Sequence, residues 1–555
     1  MEFNLAQVHE AVESAVPERE CIVFRDRRLT YAEVGTRTRR LANALRERGL
    51  GRVTERRDPN GGQVLQGHQS GQDHLALYLH NGNEYLESML GAYKARMVPF
   101  NVNYRYVAEE LEYLLRDAGA AAIVFHSAFA ATLDEVRGRL PGLRVLLQVR
   151  DGSDDTLLDG AQWYEDVLAA SSDRLPDELR DSWSPDDLYM LYTGGTTGLP
   201  KGVLWRQADI FVGALGGRRL DNREEWSSLE DIVANAANGG MRLVAGPPFM
   251  HGAAHWLAFN GFTNANTILV PGVVDHLDAD DVLDLIEREG GNVLLIVGDA
   301  FGRPLVEAME RGDHDLSSLL ITITGGAALS AGVKERLLAA VPTMMVIDGL
   351  GASETGQQAS QLTSSGQSAT TGTFEPGPGM CILDESLERV LSAGHAETGW
   401  LAQSGRVPLG YLGDATKTAA TFPTIDGVRY SVPGDRARLT ADGVLELYGR
   451  DSVTINSGGE KIFAEEVEQA VLAHPSVADC LVAGRPSERW GHEVVAVVQL
   501  VDGVEASDDD LLEEAARHVA RYKLPKHVVR VDRVQRAPSG KADYRWARDV
   551  AAGTS

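Results

Sequence analysis

Alternation is the feature that most constrains the fold of this chain. Short apolar runs, "AAIVFH" at 121–126, "RVLLQV" at 144–149, "NVLLIV" at 292–297 and "LLITIT" at 319–324, are interleaved with helical stretches such as "DADDVLDLIEREG" at 278–290 and "SAGVKERLLAAV" at 330–341. Runs of four to eight apolar residues fit strands buried on both faces, and intervening amphipathic helices cover them, so parallel sheets clad in helices are expected. Loops that hold ligands then belong at the carboxyl ends of those strands. A length of 555 residues is more than one hydrophobic core organises. From about Asp451 the texture changes to a helix, strands and a helix within about a hundred residues, enough for a small second domain. The fold class expected is therefore α/β: a large N-terminal domain over residues 1–450 and a small α+β C-terminal domain over 451–555.

Near the N-terminus, Leu29 to Leu50 places Val34, Leu41, Ala44, Leu45 and Leu50 on one helical stripe, with Thr30 as its N-cap. The segment from Gly51 to Asp73 is rich in Gly, Gln and Arg with no apolar period, and reads as a surface insertion or a disordered excursion. The net charge of −27 disfavours a nucleic-acid or anionic-membrane binder, which needs a basic surface, so an anionic ligand must be held by locally placed cations and amides. Cys21, Cys381 and Cys480 are far apart without CxxC spacing, which points away from disulfides and zinc and toward a reducing, cytoplasmic setting. "MEFNLAQVHE" lacks the pattern of a signal peptide, and no segment approaches the roughly 18 apolar residues of a membrane span.

The stretch "LYTGGTTGLPKG", Leu191 to Gly202, follows directly on an apolar strand pattern. A Walker loop requires Gly-x4-Gly-Lys-Ser/Thr, but here Lys201 sits between Pro200 and Gly202, so that loop is excluded. The amides freed by Gly194, Gly195 and Gly198, the hydroxyls of Thr193, Thr196 and Thr197 and the Lys201 ammonium still form a donor set suited to a polyphosphate. A Gly/Thr-rich surface turn is the alternative. The segment resembles the phosphate loop of the adenylate-forming superfamily, which includes acyl-CoA synthetases, luciferases and peptide-synthetase adenylation domains.

Further motifs of that superfamily follow in order, and the resemblance runs from about Ala6 to Asp549. In "PPFMHGAAHW" it assigns His251 to the border of the acyl pocket; a structural histidine is the alternative. "TGGAAL" resembles the backbone along the adenine, which involves Gly326 and Ala327. In "DGLGASETG" it assigns Asp348 and Gly349 to adenine, Ser353 to phosphate, and Glu354 to magnesium, with Thr193 beside the metal. Leu350 departs from the Tyr usual there, so adenine would meet an aliphatic face. Asp435 in "YSVPGDRARL" takes the position that binds the ribose hydroxyls, a strand-end turn carboxylate being the alternative, and Arg450 takes that of the ribose-contacting arginine. The hinge between domains would lie near Ser452. Lys541 in "RAPSGKADYR", otherwise a surface charge, takes that of the catalytic lysine that bridges carboxylate and α-phosphate.

The chemistry implied is two-step. A carboxylate attacks the α-phosphorus of ATP with Mg²⁺ present, and a thiol then displaces AMP from the acyl-adenylate. The resemblance implies a rotation of the C-terminal domain that removes Lys541 and brings up "SGGEK", where Gly458 and Gly459 would leave room for the pantetheine arm of CoA. Lys461, Arg521, Lys523 and Lys526 are candidate cations for its nucleotide phosphates, or else solvated charges. The finer likeness is to actinobacterial fatty-acid and steroid side-chain acyl-CoA synthetases. Gly252, Ala253 and Ala254 would suit a roomy apolar tunnel for a medium or long acyl chain or a steroid-type acid. An acyl-AMP ligase that serves a carrier protein and a non-catalytic nucleotide-binding relative are the alternatives, and a homodimer is compatible with the sequence.

Overall fold

The computed structural model describes all residues except 59, 154–155, 194–198, 458–459, 488–489, 537–539 and 554–555. Six strands lie side by side and parallel in the order Glu20–Phe24, Thr267–Val270, Arg242–Ala245, Val293–Ile296, Ile321–Gly325 and Met345–Ala352. They form the parallel part of the largest sheet, which continues through the antiparallel strand Gly356–Ser364 into an antiparallel region that carries Asp435–Leu439 and Leu445–Arg450. A second, all-parallel sheet runs Val98–Asn101, His74–Tyr78, Ala120–His126, Val145–Val149 and Gln162–Trp163. The apolar runs read from the sequence are strands of these two sheets.

The helices fall where periodicity and caps put them. Tyr31–Glu47 starts at a capping box made by Thr30 and Glu33. Ala279–Glu289 is capped by the Asp278 side chain and ends at left-handed Gly290. Beyond Arg450 the chain builds a separate five-stranded sheet in which Gly491–Leu500 pairs with Val477–Ser487 and His527–Arg530. Its core is its own, with Val467, Val471, Cys480, Val482, Val494 and Val498 buried together. The fold is thus α/β, a large N-terminal domain of helix-covered sheets and a small C-terminal one.

The segment from Gly51 to Asp73 is a folded excursion, which corrects the disordered alternative for its described residues. Bridges Val53–Gln72 and Arg57–Gln63 close it as a hairpin-like arm. Arg56 donates to the carbonyls of Gln66 (2.7 Å) and Gln69 (2.6 Å), and Gln72 accepts from the N–H of Leu188 at 2.7 Å. Polar side chains that satisfy backbone groups hold it in place of an apolar core. The arm rests on the segment at 409–413, where the N–H of Gly413 donates to the carbonyl of His68.

Candidate active site

Thr193 is the last residue of strand Leu188–Thr193 and pairs with Lys201, which opens the returning strand Lys201–Arg206. The residues read as the rest of the phosphate loop, Gly194, Gly195, Thr196, Thr197 and Gly198, lie outside the described residues. The Lys201 ammonium meets the carboxylate of Asp414, which raises its pKa, and Asp414 also caps the helix Ala415–Thr421. A cation for a polyphosphate is therefore held ready by a carboxylate 213 residues away in sequence.

Glu354 occupies the tip of the hairpin that joins Met345–Ala352 to Gly356–Ser364. The tip is pinned at two points. The N–H of Ala352 donates to the Thr355 hydroxyl at 2.9 Å, and a Cβ at left-handed Gly356 would lie 2.8 Å from the carbonyl of Gly213. Ser353 is half-buried, its carbonyl accepting from the Trp205 indole at 2.9 Å. The Glu354 carboxylate accepts from the Tyr411 hydroxyl at 2.9 Å. Two residues read as adenine contacts behave differently. The carboxylate of Asp348 faces helix Ala331–Ala340, where the buried Lys334 ammonium binds it at 2.9 Å, so a nucleotide contact at 348 is left to the backbone. Gly349 pairs in register with Gly325 on the neighbouring strand. Leu350 packs onto a small apolar cluster with Ala359 and Phe374.

Asp435 and Arg450 are cross-strand neighbours, and the Arg450 Nε lies 2.9 Å from the Asp435 carboxylate. Burial raises the Asp435 pKa against the pull of Arg450, with Glu354 adding to the rise and Lys541 opposing it. Lys541 arrives from the C-terminal domain. Its loop is seated by Gly540, left-handed at φ 77°, whose missing Cβ would stand 3.3 Å from both Ala300 Cβ and Val297 Cγ1. The Lys541 stem passes over Gly326, whose Cβ position would be 3.9 Å from Lys541 Cε, with Ala327 next in the chain. The side chain is exposed within an open cleft, yet the surrounding protein lowers its pKa first and Arg450 lowers it further, while Glu354 and Asp435 raise it. His251, the residue before helix Gly252–Thr263, has a buried Nε2 without a hydrogen-bond partner among the described residues. Burial, then the charge of Lys541, pushes its pKa down to about 3, so the ring is neutral. Glu354, Asp435, Arg450, Lys541 and His251, spread over 291 residues of sequence, converge on one cleft.

The expectation of a roomy tunnel is corrected at Gly252. The space its side chain would fill is taken: a Cβ there would be 3.2 Å from the Trp256 ring and 3.0 Å from Leu191 Cδ2. Ala254 is fully buried on the opposite side of the helix and lines nothing. On the C-terminal side, Gly458 and Gly459 lie outside the described residues. Lys523 is bound to Glu466 at 2.6 Å, whereas Arg521 and Lys526 are exposed.

Sequence reasoning missed Tyr411, Asp414, Lys334 and Glu465. Glu465, in helix Ala464–Leu472, accepts from the N–H of Arg450 at 3.0 Å and so joins the two domains beside the cleft. Tyr411 and Asp414 act through partners 57 and 213 residues away, and the partners of Lys334 and Glu465 lie on other elements, so no local pattern marks their part in the site.

Residues 62–412 match the family model described as AMP-binding enzyme, and residues 466–541 match its C-terminal domain. The chain is 54% identical over 550 residues to a medium-chain acyl-CoA ligase, Mig, of Mycobacterium avium, covering 99% of this chain and 98% of that one. It is 37% identical over 560 residues to a 3-oxocholest-4-en-26-oate–CoA ligase of Rhodococcus rhodochrous, covering 99% and 96%. In fold it is similar to the anthranilate CoA ligase AuaEII in complex with anthranoyl-AMP, with a TM-score of 0.81 at 22% identity and coverage of 100% and 98%. ATP-bound MatB from Rhodopseudomonas palustris gives 0.78 at 23%, covering 99% of each chain. The chain belongs to the AMP-binding enzyme family and is an AMP-forming ligase.

Proposed function

We propose that the protein is an ATP-dependent acyl-CoA synthetase that converts a carboxylic acid to its acyl-adenylate and pyrophosphate, then transfers the acyl group to the thiol of CoA with release of AMP. The observation that carries this reading is the entry of Lys541, from the C-terminal domain, into a cleft that already holds Glu354, Asp435, Arg450 and His251. A carboxylate and ATP repel one another, and the reacting phosphorus gains negative charge as the new bond forms. Lys541, carried into the cleft on the Gly540 turn, sits between the two anions and stabilises that charge. Burial, and after it Arg450, holds its pKa below the ordinary lysine value, and a bound anion would favour its charged form. Asp435 accepts from the ribose hydroxyls, and Arg450, bound to it at 2.9 Å, favours its ionised form against burial and orients it. Thr193 and Lys201 hold the departing pyrophosphate with the loop between them, Lys201 exchanging Asp414 for phosphate oxygens. Neutral His251 borders the substrate carboxylate without repelling or neutralising Lys541.

Glu354 fits Mg²⁺: it is a hard oxygen donor, fixed by Tyr411 on a pinned turn, and one protein carboxylate with phosphates and water is the usual set for that ion. Mg²⁺, when bound there with Thr193 beside it, supplies charge neutralisation on the phosphates. For the second step the C-terminal domain turns about a hinge near Ser452, withdrawing Lys541 and presenting the loop that contains Gly458 and Gly459 to pantetheine. Two domains with separate cores and a short connection after Arg450 support such a motion. The substrate is a medium-chain or longer acyl group or a steroid-type acid, on the likeness to the M. avium and R. rhodochrous ligases. Incubation with ATP, Mg²⁺, a medium-chain fatty acid and CoA is expected to yield the thioester. Acyl-adenylate that accumulates while CoA stays unused would overturn the synthetase reading in favour of delivery to a carrier protein.

A further inference from the structure

Helix Gly252–Thr263 is apolar on two sides, and only one of them is buried. Ala254, His255, Ala258, Phe259 and Phe262 face the core, whereas Gly252, Ala253, Trp256, Leu257 and Asn260 form a half-exposed stripe. This mostly apolar stripe stays half-exposed, begins beside His251 and so offers one wall next to the cleft. At 1.5 Å of rise per residue, Trp256 stands about 6 Å along that wall from Gly252.

The indole is not free to swing. Its Nε1–H lies 2.8 Å from the hydroxyl of Tyr189 on strand Leu188–Thr193. An indole N–H only donates, so the Tyr189 oxygen accepts and its own proton goes to its other partner among the described residues, Nε2 of His255. That nitrogen must then be unprotonated, and Nδ1–H of His255 donates to the carbonyl of Phe249 at 2.8 Å. Each donor and acceptor in the chain Trp256, Tyr189, His255, Phe249 has one permitted direction. The neutral ring it needs agrees with burial, which takes the His255 pKa down to about 4. Below the indole, Gly252 provides the flat seat, since any Cβ there would stand 3.2 Å from the ring.

We propose that Trp256, locked by Tyr189 and His255, is a fixed wall of the acyl channel that restricts the enzyme to slender, unbranched acyl chains and excludes fused-ring acids. The inference rests on the acyl-CoA synthetase reading and narrows its substrate class. A mobile aromatic ring yields to a bulky substrate, but one held by a hydrogen bond and backed by a polar chain of buried groups does not yield without leaving its indole N–H unpaired and the Tyr189 oxygen without that donor.

The test is the ratio of kcat/KM for decanoic acid to that for a steroid side-chain carboxylic acid, by pyrophosphate release with ATP and Mg²⁺. The wild type is expected to favour decanoate at least tenfold. Trp256→Ala is expected to lower that ratio at least tenfold, mainly through a fall in KM for the steroid acid. Tyr189→Phe keeps the wall's shape and removes the lock, so a smaller shift in the same direction is expected, and Trp256→Phe serves if the alanine variant does not fold. A ratio that stays within twofold of wild type in these variants, while decanoate still drives pyrophosphate release, would overturn the role of Trp256 and leave the synthetase reading intact. A wild-type enzyme that releases pyrophosphate with no carboxylic acid at all would overturn both.

Discussion

Glu465 is expected to make the arrangement of the two domains depend on pH. It is the second residue of helix Ala464–Leu472, and its carboxyl sits against Gly449 and takes the N–H of Arg450 at 3.0 Å. The approach is so close that a Cβ on Gly449 would overlap the carboxyl oxygen at 1.6 Å. Burial in this joint, the neighbouring Glu468 and the facing Asp435 raise the Glu465 pKa from 4.5 to about 8, against the N–H and charge of Arg450. At about 1.4 kcal/mol per pH unit, that difference is on the order of 5 kcal/mol withheld from the ionised form, an upper bound because the side chain keeps partial access to water. The sign follows from proton binding. The docked joint binds the proton more tightly than a separated one with an ordinary carboxyl, so docking is strongest at low pH and is lost as pH rises from about 4.5 toward 8. Between those limits the docking constant falls by as much as about tenfold per pH unit. Energy transfer between one dye on the large domain and another on the C-terminal domain reads this constant directly. The wild type is expected to lose docked population steeply from pH 6 to 8. Glu465→Gln keeps an acceptor for the Arg450 N–H and carries no proton, so its population is expected to lack that component. Because Lys541, Asp435 and Glu468 titrate in both proteins, the difference between the two profiles belongs to Glu465. Superimposable profiles would refute the reasoning.

Four further outcomes are expected. Lys541→Ala lowers the pyrophosphate-forming half-reaction by about 10²–10³ in single-turnover assays, while thioester formation from preformed acyl-adenylate changes little; equal losses in both would remove its assigned role. Asp414→Ala loses the helix cap and about 1 kcal/mol, seen as a lower urea midpoint. Asp414→Asn keeps the cap and midpoint but lowers KM for ATP, because Lys201 no longer shares its charge with a carboxylate; an unchanged KM would separate Lys201 from phosphate binding. For His251, whose pKa is depressed to about 3, imidazole proton NMR shifts should be flat from pH 5 to 8, and any His251 contribution to stability is lost only as pH falls below its ordinary value of 6.5. A titration near 6.5 would contradict the buried, neutral ring.

Much of the fold was legible because its signals are local. The run at 292–297 becomes strand Val293–Ile296, and Asp278 caps the helix that its position announces. The site was legible only where a motif stands for geometry. Glu354, Asp435, Arg450 and Lys541 come together as their series implies. Asp348 shows the limit: alternation along strand Met345–Ala352 turns its carboxylate toward Lys334, and a motif read residue by residue carries no facing. Gly252 shows it again. A small residue reads as open space, yet here its lack of a side chain is what allows Trp256 to fold back over the helix and close that space. The volume of a pocket is a property of the rings that reach it, and their reach is decided by partners such as Tyr189, 67 residues away, through a hydrogen bond that no sequence window contains. If Trp256 walls the acyl channel as proposed, substrate width is set by the polar groups behind it, and substitution of those hidden groups is expected to alter specificity along with substitution of the wall itself.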